Sequence, residues 1–377
     1  MAQFSEGLWG QASMPLRGSE PSSTALDLDA MTVSSPCRLP PVHVARDRVL
    51  RTVVGLRPFR PSGFVVRTEK LDDTLVVHNY GHGGAGVSLS WGTAQLALQT
   101  ACQDSQNPAA VLGCGAVGLA TARLLQEAGF KVTIYANNVP PETTSNAAGG
   151  AWMPFLVADP EKADQQFNRQ LLLAAKYSYD RYTKMIGGRW GVRWMKSYSI
   201  SRSGFDEAGP AGRDNMFRSM RQGFRDLKPS EHPFDTNCAV RQVDTLLIEP
   251  PIYLQSMMDE FLEASGQIVR TLLSDRAAIV QLPQKLVFNC TGLGAKQLFN
   301  DSELVPARGQ LTFLQPQPEV QYAVSHDELY MLPRSEGIAL GGTYELGNTS
   351  LIPSSDSMRR ILARHKAFFD SYRHAVC

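Results

Sequence analysis

Apolar and polar positions repeat with two different periods along the chain, and the changes of period mark its elements. Between residues 44 and 77 the runs RTVVGL, GFVVR and TLVVH, parted by Pro and Gly, predict short strands. The small-residue cluster from His78 to Gly86 predicts a loop. In SLSWGTAQLALQTACQ behind it, Leu89, Ala94, Leu96 and Ala97 fall at helical spacing, so a glycine loop feeds a helix. A polar link, Gln103 to Pro108, follows. Then comes the clearest segment: an apolar strand AAVLG, the loop Gly113 to Gly118, a helix LATARLLQEAG and a strand KVTIYA, which together predict a βαβ unit. Beyond it stand a small-residue loop, TTSNAAGGAWMPF, and a long helix in ADQQFNRQLLLAAKYSYDRYTKMI; the region after them mixes strands with the helix IYLQSMMDEFLEA. The strand KLVFNC, the β-rich stretches RGQLTFL, ELYML and IALGGTY, and an amphipathic helix from Asp356 to about Tyr372 complete the pattern. No internal repeat is found. The order predicts an α/β chain with added antiparallel β structure.

Composition narrows the function. A length of 377 residues suggests two domains or one large two-part unit. With 37 Lys+Arg against 36 Asp+Glu, a net charge of +1 points to neither nucleic acid nor an anionic membrane. No apolar run approaches the ~20 residues of a membrane span, and the start, MAQFSEGLWGQ, lacks the regions of a secretory signal. The end carries no peroxisomal tripeptide, and the expected location is the cytoplasm. Six cysteines without a CxxC pair predict neither a disulfide framework nor a zinc site. Residues 1–40, with Ser, Pro and Gly and no sustained apolar period, predict a disordered tail.

The glycine loop predicts dinucleotide binding. Gly113 makes the tight turn, Gly115 lets backbone approach a pyrophosphate, and Gly118 lets helix and strand pack closely, with Ala116 and Val117 at the helix start. The second strand normally ends in an acidic residue that grips a ribose hydroxyl. Here it ends Tyr135-Ala136-Asn137-Asn138, so Asn137 takes that place as a weaker partner.

The blocks GCGAVG, TTSNAAGGAWMP, VFNCTGLGAKQL, ARGQL, YMLP, GGTYELGN, GLRPFRP and HNYGHGGAGVSLSWG together resemble the D-amino-acid oxidase family of FAD flavoenzymes. Their order differs. In that family GLRPxRP and HNYGHGG close the sequence; here they stand at 55–61 and 78–84, ahead of the glycine loop. This looks like a circular permutation, with Gln103 to Pro108 as the joining link and residues near 42 and 372 expected side by side.

The resemblance implies roles. Arg57 would pair with the substrate carboxylate, a task that suits arginine's planar, permanently charged fork; Arg60 reads as structural. The hydroxyl of Tyr330 would support the same carboxylate, Leu332 would lie beside the flavin, Met153 would form an apolar pocket wall, and the Gly84 carbonyl would face the amine. Gly83, Gly84, Ala85, Gly86, Val87 and Ser88 would offer amides at a helix start to the flavin, and Thr144, Ser145, Gly149, Gly150, Ala151, Thr291 and Gly292 would also hold FAD. His78 and His82 read as structural hydrogen-bonding residues, with no metal expected. Between His326 and Tyr330 only Asp327-Glu328-Leu329 stand where family members often carry a longer lid with a second tyrosine, which implies an open mouth.

The expected fold is α/β: an FAD-binding Rossmann-type domain of the glutathione-reductase-like kind, interleaved with an α+β substrate domain that contains a mixed sheet. Residues 109–160 and 267–300 are assigned to the FAD domain, 161–266 and 301–377 mainly to the substrate domain, and 41–108 to the displaced block. The expected activity is oxidation of a neutral D-amino acid with non-covalent FAD and molecular oxygen. Hydride would pass from Cα to flavin N5, giving an imino acid, then a 2-oxo acid and hydrogen peroxide, with no acid–base residue required. A neutral side chain is favoured because no further basic residue is evident, Arg334 being the one that would change this by pointing into the pocket. Alternatives are a glycine- or sarcosine-type oxidase, a tailoring oxidase for a bulkier metabolite, or a non-catalytic dinucleotide-binding protein. A homodimer is left open.

Overall fold

The computed structural model describes residues 39–101, 108–202, 204–205, 216–234 and 238–372. Most of the expected tail, and the link from Gln103 as far as residue 107, lie outside the described residues. Leu39 and Pro40 correct the tail's boundary, because both dock onto the body of the protein.

One sheet has six strands: β2 (Val65–Leu71), β3 (Thr74–Tyr80), β4 (Ala109–Leu112), β5 (Val132–Ala136), β9 (Gln267–Arg270) and β10 (Leu286–Asn289). They lie in the order β2-β3-β10-β4-β5-β9, parallel except for β2. β4 and β10 are buried at every position, as expected of apolar strands covered on both faces. Helices α1 (Gly86–Ala101), α2 (Ala116–Glu127), α3 (Gln165–Thr183) and α4 (Pro250–Glu263) form a layer in which α1 packs on α2 and α3, and α2 on α4. α1 can approach α3 because position 92 is glycine: a Cβ there would overlap the Ala174 carbonyl. Two short helices, α5 (Arg276–Val280) and α6 (Gly294–Leu298), flank β10 in sequence.

The second sheet joins β1 (Val49–Phe59), β6 (Val192–Ser201), β7 (Gln222–Leu227), β8 (Ala239–Ile248), β11 (Val305–Leu314), β12 (Tyr322–His326), β13 (Leu329–Arg334) and β14 (Gly337–Gly341), with β15 (Glu345–Leu346) beside β11. Its order is β1-β11-β14-β13-β12-β6-β8-β7, antiparallel except where β12 meets β6. The last helix, α7 (Ser355–Asp370), starts at Ser354, whose hydroxyl accepts the Ser357 amide at 3.2 Å. It buries Ile361, Leu362, His365 and Phe369 and leaves Arg359 and Arg360 exposed. Among the described residues no helix is long and apolar enough to cross a membrane.

Chain segments divide between the two sheets more finely than expected. Residues 41–108 supply β1 to one sheet and β2, β3 and α1 to the other. Within 161–266, assigned mainly to the substrate side, α3 and α4 pack on α1 and α2, because their apolar faces are buried there. The two ends of the body meet at one hydroxyl: Tyr322 donates to the Pro40 carbonyl at 2.7 Å and stands 3.2 Å from the Tyr372 hydroxyl. Val42 and Val44 share a hydrophobic cluster with Phe369 and Tyr372.

Candidate active site

A cavity of about 1530 Å³ runs from the carboxyl ends of β4, β5 and β10 to the face of the second sheet. That volume exceeds the roughly 300–1,000 Å³ of an ordinary small-ligand pocket, and the ends of parallel strands are where α/β sheets bind ligands.

At the first end, Gly113 sits at φ +100° just past β4, and a Cβ on Gly118 would overlap the Gly113 carbonyl, so α2 can lie against the strand. Gly115, at the N-cap of α2, has no side chain to cap it; the Ser145 hydroxyl accepts the Ala116 amide at 3.0 Å. The helix start thus turns its positive end toward the cavity, with Val117 in the lining. Asn137, Thr144, Ala151, Thr291 and Gly292 also line it. Thr291 donates its hydroxyl to Asn289 Oδ1 at 2.7 Å. Gly149 lies over Leu332 and Tyr330, and Gly150, at φ +100°, leaves no room for a Cβ beside the Ile248 carbonyl. Buried Asn79 lines the cavity with an unpartnered Oδ1, an acceptor left for a bound group. Length, backbone cradle and free acceptor fit a dinucleotide such as FAD.

The loop between β3 and α1 departs from expectation. Gly83, Gly84, Gly86 and Val87 line the cavity, but Ala85 and Ser88 do not. The Gly84 amide donates to the Leu156 carbonyl at 3.1 Å and the Ala85 amide to the His82 carbonyl at 3.0 Å. The 3-10 turn over Gly83–Ala85 thus engages the Ala85 amide, and the loop holding Leu156 engages that of Gly84. Ser88 is occupied too, its hydroxyl accepting the Met153 amide at 3.2 Å.

At the far end, Arg57 on β1 reaches over Gly309 of β11, where a Cβ would overlap its guanidinium. Its Nη1 is buried without a hydrogen-bond partner. Arg60 is instead tied to Asp301 at 3.0 Å, to Glu303 and to Ser62. Tyr330 and Leu332 alternate on β13, so both face the cavity, and the Tyr330 ring fills the space that a Cβ on Gly341 would need. Met153 and Gly84 complete the wall. Two histidines here are held by side-chain contacts: His78 Nε2 lies 3.0 Å from Glu69 and Nδ1 3.1 Å from Asn289, while His82, in the cavity lining, lies 2.9 Å from Thr93. Burial pushes His78 down to about 4 and His82 to about 3.

The mouth is edged by Asp327 and Glu328, the tight turn between β12 and β13, with Asp327 at φ +53°. Arg334 does not enter. It donates to the Ala148 carbonyl at 2.9 Å, pairs with Glu336 and stacks on Phe313 outside the cavity lining. Among the lining residues that sequence reasoning missed are Asn79, Arg360, Arg364 and Tyr344. Arg360 and Arg364, one turn apart on α7, reach the mouth; their spacing in an amphipathic helix was the available sign. Tyr344 stands edge-on to Phe59 at 6.4 Å, its pKa raised by burial and drawn back by Arg57.

The cavity thus joins a backbone cradle of dinucleotide size to an unpartnered guanidinium nitrogen. The family model for FAD-dependent oxidoreductases of the DAO type matches residues 109–376, and the chain belongs to that family, with FAD as cofactor. More particularly, its relatives include enzymes named as amino acid oxidases. It is 29% identical to the D-amino-acid oxidase of Dictyostelium discoideum over 67% of this chain and 70% of that one. It is 29% identical to the D-aspartate oxidase of Homo sapiens over 71% and 77%. The fold is shared with the glycine oxidase of Bacillus cereus, at a TM-score of 0.54 and 15% identity over 72% of this chain and 79% of that one.

Proposed function

We propose that the protein oxidises a D-amino acid at Cα to the imino acid, which water converts to the 2-oxo acid, with oxygen reduced to hydrogen peroxide. The observation that carries this is Arg57 Nη1, buried and unpartnered at the cavity's far end. An unpaired buried charge is costly, so a carboxylate is its natural complement. The Tyr330 hydroxyl would donate to the same carboxylate, and the Gly84 carbonyl would accept from the amine, presenting Cα to the cofactor. Residues 113–118, Asn137, Thr144, Gly149 and Thr291 would hold FAD, which when bound accepts the two electrons and passes them to oxygen. No side chain here is assigned a proton transfer; the chain binds, orients and walls off the substrate, with Met153 and Leu332 apolar around it.

A neutral side chain was expected because no second basic group was evident. Arg360 and Arg364 at the mouth remove that ground, and they favour a second reading in which the substrate's side chain carries its own carboxylate, as for the D-aspartate oxidase relative. A peroxide-release screen over neutral and acidic D-amino acids, glycine and sarcosine tests both. Colourless protein that takes up no FAD, or silence with every amino acid, defeats the proposal.

We also read the chain as circularly permuted. Support comes from the meeting of Pro40 and Tyr372 at Tyr322, and from a family match that begins at residue 109, where β4 begins. A chain opened between 102 and 107, with residues 372 and 39 joined by a short linker, should fold and bind FAD. An insoluble or FAD-free product counts against the permuted order.

A further inference from the structure

Behind the carboxylate end, α7 buries a histidine that the proposed chemistry does not use. His365 is 2% exposed. Its Nδ1 stands 2.9 Å from the Ile361 carbonyl one turn back on the same helix, and its Nε2 3.2 Å from the Tyr330 carbonyl on β13. Both partners only accept, so a neutral ring can donate to one of them at a time and only the imidazolium to both. The Ile361 carbonyl already has the helix's own i+4 amide. The contact with Tyr330 is therefore the one that ties two separate elements together. Around the ring stand Val324, Leu329, Met331, Phe368 and Phe369, which are apolar, and His326.

We infer that His365 is a positioning residue for the substrate carboxylate: its grip on the Tyr330 carbonyl sets the place from which the Tyr330 hydroxyl reaches the ligand. The inference rests on the carboxylate role proposed for Tyr330. The Tyr330 ring sits against Gly341 and Gly149 with no room for a Cβ on Gly341, so a small shift of β13 moves the hydroxyl with it.

The grip depends on protonation, because only the imidazolium donates at both ends. Burial, helped by Arg364, holds the ring's pKa below 6.5 against the two carbonyls, which raise it. The other charged or titratable groups nearby are Arg360 on α7 and His326, Asp327 and Glu328 on the hairpin, with Glu328 3.5 Å from Arg364 and Asp327 3.7 Å from His326. As pH rises through the lowered pKa, the longer bond, to Tyr330, is the one that yields, and carboxylate affinity falls.

The test uses the FAD-loaded enzyme and benzoate, a carboxylate with no amine to oxidise, followed by the change in flavin absorbance, together with KM and kcat for an amino acid that is turned over. His365→Leu should raise the benzoate Kd and KM by about two- to tenfold, the worth of one hydrogen bond, with the loss falling on KM more than on kcat. His365→Gln, which keeps a donor, should recover most of it. In a Tyr330→Phe background the effect of His365→Leu should vanish, whereas a purely structural role would leave the two changes additive and overturn the inference. If the leucine variant does not fold, the native enzyme and His326→Gln decide: benzoate Kd must rise with pH below about 6.5 in both. A flat profile overturns the inference. An enzyme that binds no benzoate and oxidises no amino acid fails earlier, at the carboxylate site itself, and takes this inference with it.

Discussion

The two ends of the cavity are built by opposite means. The nucleotide end is largely backbone, supplied by short turns at the tips of neighbouring parallel strands: Gly113 to Gly118 after β4, Asn137 after β5, Thr291 and Gly292 after β10. The far end, proposed to take a carboxylate, is side chain, brought together from β1, β13 and the loop holding Met153, over glycines of β11 and β14. A turn that must pass close to a ligand is written in contiguous glycines. A side chain aimed into a shared space needs several distant strands to be in place first.

Four experiments bear on this contrast. The largest effect is expected from Gly118→Val, whose side chain would collide with the Gly113 carbonyl and lever α2 off β4. FAD binding, read from the absorbance of purified protein, should be lost entirely, and stoichiometric FAD in that variant would refute the backbone cradle. Next, Arg57→Leu should lower kcat/KM about ten- to a hundredfold while FAD stays bound, since a hydrogen bond to a charged group is worth about 1.5–3 kcal/mol. Arg60→Leu, which breaks the ties to Asp301 and Glu303, should lower Tm and leave KM in place; equal KM losses in both would erase the distinction between them.

The third concerns the loop that joins the two ends. His82 stacks on Phe64 at 5.5 Å, and burial pushes its pKa to about 3, against 6.5 for the ordinary side chain. The unfolded chain then binds the extra proton between these values, so stability is fully present above about 6.5 and is lost as pH falls below it. His78, pushed to about 4, acts in the same sense. Tm should drop from pH 7 toward 5, and His82→Gln should flatten the slope; an identical slope would clear His82 of the effect. Smallest is the rim. Arg360→Glu should change the ratio of kcat/KM for D-aspartate over D-alanine by about two- to fivefold, as suits an exposed charge, and no change would leave the mouth without a say in side-chain choice.

The unequal legibility follows from the same contrast. The βαβ unit from Ala109 to Ala136 was readable because strand, glycine turn and helix are each local patterns, and the structure has them where the periods put them. The shortness of the Asp327–Leu329 stretch was readable only against the family's longer lid, and the structure makes it a tight turn between β12 and β13. Arg57 was readable only through its block's resemblance to a family; nothing local separates it from Arg60, three residues on. Arg360, Arg364 and Tyr344 went unseen because helix spacing says which face of α7 is polar and not what that face overlooks. Ala85 and Ser88 were expected to serve the cofactor; neither lines the cavity, Ala85 being folded into the 3-10 turn and Ser88 bonded to the Met153 amide.

By itself the sequence determined the class of cofactor, the identity of the elements and the family, since glycine positions, period changes and block motifs are properties of neighbouring residues. Only the tertiary structure decided that Arg57 is left without a partner while Arg60 is not, which amides are already engaged, and which helix face edges the mouth. Each of those depends on what another part of the chain places opposite, and burial turns that placement into charge left unpaired or hydrogen bonds already made.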